Sequence, residues 1–117
     1  MKSPGKTLVV MPEYGKLPEG AYQTAVVPPT ACVTAKQTVT YGFGSQNTIT
    51  LSSRSEAGCL LSLQRDIVTS GGRRLERQEI PLPPLEKPET ALAVAGALLV
   101  SDCPPEDLYN AMLPMGL

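Results

Sequence analysis

The longest continuous apolar stretch of the chain lies near its C-terminus, at residues 89–100, with the sequence ETALAVAGALLV. A helix built from it has no polar face, and such a helix is buried on all sides or spans a membrane. It is too short to span a bilayer, which needs about 20 apolar residues. A chain of 117 residues has little other material to cover both flanks. We therefore predict that a second copy covers one flank and that the chain has no stable folded monomer.

The chain before this helix alternates between apolar and polar residues, as strands with one buried face do. The alternation is clearest in residues 30–43, 47–54 and 59–68, which glycine-containing turns separate. Arg65 breaks the pattern of its strand, which indicates a snorkelling arginine, a paired arginine or a β-bulge. After the glycine-rich loop TSGGR, residues 75–82 form the predicted return strand.

Two shorter strand-like runs, residues 6–11 and 21–27, stand at the N-terminus, and we expect them to pair as a hairpin. At the other end, Pro88 suits the first turn of the apolar helix. Pro104 and Pro105 open a second helix, which Asp102 or Cys103 caps.

Strands followed by helices predict an α+β fold with helices on one face of a sheet. We expect a single domain over residues 1–117. It contains an N-terminal hairpin (1–29), an antiparallel meander sheet (30–84) and two dimerisation helices (85–117).

The polar parity of the strands predicts the sheet face that the helices leave uncovered. This face is rich in hydroxyls and amides, with a few basic residues. Its members are Lys36, Thr38, Thr40, Thr48, Thr50, Ser52, Arg54, Ser62 and Gln64. Such side chains can contact the phosphates and bases of a nucleic acid. The alternative is an ordinary solvent face, in which the β-branched residues serve strand propensity.

Charge divides the chain into two parts. Residues 1–82 carry nine Lys/Arg and six Asp/Glu, whereas residues 83–117 carry one Lys and five Asp/Glu. The strand-rich part is therefore mildly basic and the helical part acidic, which gives two faces of opposite sign unless the asymmetry is chance.

The residues that common catalytic sites need are missing. The chain has no histidine, and its three cysteines match neither a zinc site nor a disulfide framework. We interpret the cysteines as buried thiols, with bridges or nucleophiles as the alternatives. No phosphate-binding glycine motif or convincing carboxylate pair occurs. We predict that the protein is not an enzyme, has no catalytic residues, metal or cofactor, and does not act at a membrane. Without a recognisable signal peptide, we expect it in a cytoplasm.

The arrangement resembles the coat proteins of single-stranded RNA bacteriophages, the levivirus-type capsid proteins. The resemblance covers an N-terminal hairpin, a strand meander and two C-terminal helices. It is closest in the last third, where IPLPP leads into ETALAVAGALLV and then SDCPPEDLYNAMLPMGL. The TSGGR loop corresponds to the family's loop between its last two strands.

The resemblance implies a structural protein of the virion that is assembled in the cytoplasm of a bacterial host. Two chains would pair their sheets edge to edge in an intertwined homodimer, and dimers would form an icosahedral shell. The inner sheet face would bind single-stranded genomic RNA, including a hairpin at the replicase start that represses translation. Glu76 and Glu79 weaken the positive charge that such a hairpin site needs.

Carried onto this chain, the resemblance assigns three sets of residues. The polar set above becomes the RNA face. The contact between dimers becomes the loop Thr69, Ser70, Gly71, Gly72 and Arg73. The dimer interface comprises Leu92, Gly96, Leu99, Val100, Leu108 and Met112.

Two other functions remain open. One is a small dimeric cellular binding module with an exposed polar sheet face. The other is a small enzyme with Cys59 or Cys103 as nucleophile, although no histidine is present to activate it.

Overall fold

The computed structural model describes residues 6–117. Within them the strands come first and the two helices last, so the predicted α+β class is confirmed. The strands are β1 (Thr7–Val9), β2 (Ala21–Val27), β3 (Thr34–Thr40), β4 (Ile49–Ser55), β5 (Gly58–Leu63), β6 (Ile67–Val68), β7 (Arg74–Leu75) and β8 (Gln78–Leu82). The helices are α1 (Pro88–Val100) and α2 (Pro105–Met112), and a 3₁₀ turn (Leu113–Met115) follows.

The first sheet has the order β1-β2-β3, and both of its strand pairs are parallel. The predicted N-terminal hairpin is therefore wrong. The connector between β1 and β2 does not turn tightly but crosses back over the sheet. There Tyr14 and Leu17 pack on a small cluster formed by Val10, Ala25 and Val27. Burial of this apolar face favours the parallel arrangement over a hairpin that would leave it uncovered.

The connector between β2 and β3 has only six residues, 28–33. Parallel strands usually need a crossover of a dozen residues or more. Six extended residues reach roughly 20 Å, and a seven-residue strand has about the same length. The connector begins with a turn at Pro29 and Thr30, in which the N–H of Ala31 donates to the carbonyl of Pro28 at 3.1 Å. It therefore has few residues left to return along the strand.

The second sheet has the order β4-β5-β8 and is antiparallel, as the sequence predicts for this part of the chain. β4 and β5 form a hairpin closed by Glu56 and Ala57. The predicted strand over residues 59–68 ends earlier, at Leu63, and the predicted return strand is divided into β7 and β8. Between the paired residues Leu63 and Gln78, the chain makes the separate antiparallel hairpin β6–β7.

Helix α1 lies against both sheets. It contacts β2 of the first and β4 of the second, while α2 packs on β8 and α1. The main core accordingly joins Val26 and Val39 with Ile49, Leu61 and Leu92. The expectation that α1 needs a second chain rested on the premise that one chain cannot cover both flanks of the helix, and that premise is wrong. The strands form two three-stranded sheets and a separate two-stranded one instead of a single sheet, so a single chain supplies a cover for each flank of α1.

Candidate nucleic-acid interface

The nine residues predicted to face RNA do not share one surface, because they are distributed over two sheets. Lys36 and Thr38 are exposed on β3, an edge strand of the first sheet. The other predicted residues in strands lie on β4 and β5 of the second sheet, except Thr40, which ends β3.

Three of the predicted threonines serve the fold rather than the surface. Thr48 and Thr50 are only 3% and 7% exposed, so their prediction as RNA contacts is wrong. The hydroxyl of Thr40 accepts a hydrogen bond from the backbone N–H of Thr48 at 3.0 Å. This bond holds the end of β3 beside the start of β4. The alternation of polar and apolar residues does not predict it.

A β-bulge in β4 removes Arg54 from the predicted face. Thr50 pairs with Ser62 and Leu51 with Leu61, but the register then shifts, so that Arg54 pairs with buried Cys59. Paired residues point to the same face of a sheet, and the extra residue of a bulge reverses the parity beyond it. Arg54 consequently starts from the core side, and its Nη2 donates to the carbonyl of Leu85 at 3.1 Å.

Ser52, Ser62 and Gln64 remain on one polar surface of the second sheet. The hydroxyl of Ser52 donates to Oε2 of Glu79 at 3.0 Å, and Glu79 pairs with Ser62 across β5 and β8. An open depression here is lined by Ser62, Gln64, Arg77, Gln78 and Glu79. Its donors and acceptors suit a polar ligand, but Glu79 opposes a negatively charged one.

The strongest positive charge lies beside this surface, in residues 64–77, which we call the arginine hairpin. It contains β6, β7 and four exposed arginines, Arg65, Arg73, Arg74 and Arg77. In the sequence, Arg65 stands only as a break in the strand alternation and Arg73 only as part of a loop. The available signal was the density of arginine: four within thirteen residues, against two acidic residues, Asp66 and Glu76.

One arginine of this hairpin is committed to its own fold. Nε and Nη2 of Arg74 donate to Oδ2 of Asp66 at 3.0 and 2.5 Å, and the backbone N–H of Arg77 donates to Oδ1. The hydrogen bond from Arg74 holds the pKa of Asp66 below its ordinary value. This is the only ion pair within residues 6–117, so the side chains of Arg65, Arg73 and Arg77 stay without a carboxylate partner there.

The TSGGR loop is a hairpin loop, as predicted, but it is anchored to the end of α1. The hydroxyls of Thr69 and Ser70 donate to the carboxylate of Asp102, and the N–H of Ser70 donates to the carbonyl of Val100 at 2.7 Å. Asp102 has the left-handed φ of 71°, and no side chain caps α2, so its predicted capping role is wrong. The bond from Thr69 lowers the pKa of Asp102.

Gln37 attaches the arginine hairpin to the first sheet. Its Nε2 donates to the carbonyl of Val68, and its Oε1 accepts from the N–H of Val68, both at 2.8 Å. A cleft of about 480 Å³ lies at this junction, and Lys36, Gln37 and Ser70 are among its lining residues. Lys36 thus lies at the border of the TSGGR loop. It is on a different sheet from Arg54, with which it had been predicted to share a face.

The residues predicted for the dimer interface are inside the single chain. Leu92, Leu99, Val100 and Leu108 are fully buried, and Gly96 and Met112 are buried with them. A methyl group built at Gly96 would lie 2.8 Å from Cγ1 of Val26. The small face of α1 therefore admits the chain's own β2, where a second chain had been expected.

Other chemistry is sparse in the part of the chain that the structure describes. Cys59 is buried, Cys103 is half-buried and Cys32 is exposed, and all three are free thiols. No three His, Cys, Asp or Glu side chains within residues 6–117 are grouped so that they could hold a metal ion. Neither helix in that range combines the length and apolarity needed to cross a membrane.

No family model, no curated protein and no solved structure matches this chain.

Proposed function

We propose that this chain is the coat protein of a single-stranded RNA bacteriophage. It dimerises, assembles into an icosahedral shell in the cytoplasm of a bacterial host, and packages genomic RNA in the virion. Binding of an RNA hairpin at the replicase start, with repression of translation, belongs to the same proposal.

The order of elements supports this function at a coarse level. Strands occupy the first part of the chain and two helices the last, and the TSGGR loop lies between the strands that precede the helices.

The observation that carries RNA binding is the arginine hairpin beside the polar surface of the second sheet. Arg65, Arg73 and Arg77 offer guanidinium groups for phosphate, and Ser62 offers a hydroxyl nearby. The Nε2 of Gln64 is already committed, since it donates to the carbonyls of Ser45 and Asn47. Phosphate contacts supply most of the affinity of nucleic-acid binding, and neutral polar groups add position and base contacts. The proposed RNA surface is thus centred on the hairpin, and Lys36 extends it along β3.

Dimerisation is supported by open sheet edges. β3 ends the first sheet and β4 ends the second, and both are seven residues long. An edge strand leaves backbone N–H and C=O groups that can pair with another strand. A second copy could therefore extend either sheet without disturbing the core.

One observation favours a small cellular binding module instead. Because α1 is covered by the chain's own two sheets, one copy closes its core without a partner. A self-sufficient domain with a polar surface fits such a module as well as it fits a shell subunit.

Expression of the chain alone separates the two functions. We expect uniform closed particles by electron microscopy, with RNA co-purifying and a ratio of absorbance at 260 to 280 nm that falls after disruption and nuclease treatment. Monomers or dimers free of nucleic acid, at every protein and salt concentration tried, would exclude the coat function and leave the binding module.

A further inference from the structure

Helix α1 separates two surfaces of opposite character. At its C-terminal end lies the arginine hairpin, tied to Val100 and Asp102. At its N-terminal end lies a groove of about 610 Å³ between the connector after β1, the loop after β3 and the first turn of α1. Thirteen helical residues separate the two, a length of about 20 Å.

The groove combines acidic and apolar groups. Glu13 and Glu89 contribute carboxylates and Lys87 a single cation. Phe43 and Met11 also line it, although they are 57% and 39% exposed. Phe43 is the only phenylalanine of the chain, and its exposed ring gives the groove an aromatic surface beside the two carboxylates.

The arginine hairpin is complementary to this groove. Arg65 and Arg73 are exposed and form no ion pair among the described residues, although the charge of Arg73 acts on Asp102 and helps to lower its pKa. Val68 is 48% exposed. A guanidinium forms bidentate hydrogen bonds with carboxylates and stacks on aromatic rings. The exposed side chain of Val68 offers an apolar surface that can pack against the exposed side chains of Met11 and Phe43.

We propose that the groove is the docking site for the arginine hairpin of a second copy of this chain. Glu13 and Glu89 receive the guanidinium groups, and Phe43 provides the stacking surface. The hairpin cannot reach the groove of its own chain, since its loop is bonded to the far end of α1. The contact is therefore made between chains.

The two surfaces in this contact are different, so the contact is heterologous. Each copy offers one hairpin and one groove, and repetition of such a contact yields rings or extended assemblies. It is separate from edge-to-edge pairing of sheets and requires no RNA, and because it engages Arg65 and Arg73 it competes with the RNA contacts proposed above for the same side chains.

Charge-reversal variants test the docking. The hairpin variant carries Arg65→Glu and Arg73→Glu, and the groove variant carries Glu13→Lys and Glu89→Lys. After nuclease treatment, we expect sedimentation velocity to detect salt-sensitive association of the wild type. Either variant alone should bind itself at least roughly tenfold more weakly, since opposed charges are replaced by like charges. Mixing the two variants should restore association, because the native hairpin of the groove variant can dock in the native groove of the hairpin variant.

Three further variants sharpen the result. Phe43→Ala leaves the charges in place and should also weaken association, whereas Lys87→Gln removes the one repelling cation and should strengthen it. Lys16→Glu combined with Glu19→Lys changes exposed charges outside both surfaces and should have no effect. Circular dichroism of each variant checks that the fold is retained.

Two results would overturn the docking. The first is a groove variant, or Phe43→Ala, that associates like the wild type while the hairpin variant does not, because the arginines would then contact something else. The second is a mixture of the two folded charge variants that associates no better than either alone.

Discussion

Gly96 lies where α1 approaches both sheets. A methyl group at this position would lie 2.8 Å from Cγ1 of Val26 and 3.2 Å from Cδ1 of Ile49. Both neighbours are fully buried, so neither can move without disturbing the core. We expect Gly96→Val to lower the free energy of unfolding by about 1–3 kcal/mol, the usual cost of overpacking.

Urea unfolding of the purified protein measures this loss. Ala97→Val, at the half-buried neighbour on the same helix, is the matched control and should cost less. Equal stability of the Gly96 variant and the wild type would mean that α1 does not contact β2 as the structure has it.

Asp102 makes the anchoring of the TSGGR loop depend on pH. Its pKa is lowered in the folded protein because Thr69 donates to the ionised carboxylate. The ionised group therefore stabilises the fold above the unfolded pKa, about 3.9, and this contribution is lost as pH falls through the folded value. We expect Asp102→Asn to lower the unfolding temperature near neutral pH, with the difference from the wild type shrinking below about pH 4.

Thermal unfolding of both proteins from pH 2 to pH 7 tests this dependence. Asn tolerates the left-handed backbone at this position, so the substitution keeps the backbone while it removes the charge and one of the two accepting oxygens. Asp66 titrates in the same direction in both proteins and cancels from the comparison. A difference that stays constant over the whole range would show that the carboxylate charge is not what holds the loop.

Single residues mark the limit of what alternation can predict. The register of β4 shifts between Leu51 and Ser53. Nothing in the sequence SSR, residues 52–54, requires a bulge there. Arg54 was therefore assigned to the wrong face. Asp102 is of a residue type that often caps helices. Its left-handed backbone instead directs the carboxylate to Thr69 in the loop, 33 positions earlier in the chain.

Among the elements, the sequence predicted what depends on local pattern. The β4–β5 hairpin, the glycine-rich loop, the proline-initiated α1 and the start of α2 all follow from turn residues and apolar periodicity. The direction of β1, β2 and β3 does not, because alternation records which side chains are buried and is the same for parallel and antiparallel strands. The outcome depended on Tyr14 and Leu17 in a connector that has no periodicity of its own.

The arginine hairpin leads to a prediction about RNA content. We expect Arg65→Gln with Arg77→Gln to reduce the RNA that co-purifies with the protein, and to reduce the salt dependence of binding, because two free phosphate contacts are lost. Lys36→Gln with Arg54→Gln removes the same charge and should have a smaller effect, since Arg54 is bonded to the carbonyl of Leu85.

Absorbance ratios of purified particles and filter binding at several salt concentrations measure both pairs. Dimers should persist in each variant, as sedimentation will report. If the variant at Lys36 and Arg54 loses more RNA than the variant at Arg65 and Arg77, the RNA surface is the sheet face predicted from alternation and not the arginine hairpin.

At the scale of the whole molecule, the closed core changes the expectation for the monomer. Leu92, Leu99 and Val100 are fully buried by the chain's own sheets and by α2. Dissociation of a dimer would not expose them. We therefore expect the chain to keep its circular dichroism spectrum and cooperative unfolding when diluted until sedimentation detects only monomers, and the earlier expectation of an unstable monomer is revised accordingly.

An unfolding midpoint that falls steeply with protein concentration would contradict this, since obligate dimers behave in that way. Such a result would mean that part of the core is contributed by exchange between two chains, as in an intertwined dimer.

The short connector between β2 and β3 makes the chain more tolerant of an insertion there than of a deletion. Because residues 28–33 have no slack, loss of one residue would pull β3 along by one position and exchange its two faces. The side chain of Val39 would then leave the core, and the side chain of Lys36 would move to the opposite face of the sheet. An added residue can bulge outwards at little cost. Natural variants of this protein should therefore lengthen this segment but never shorten it.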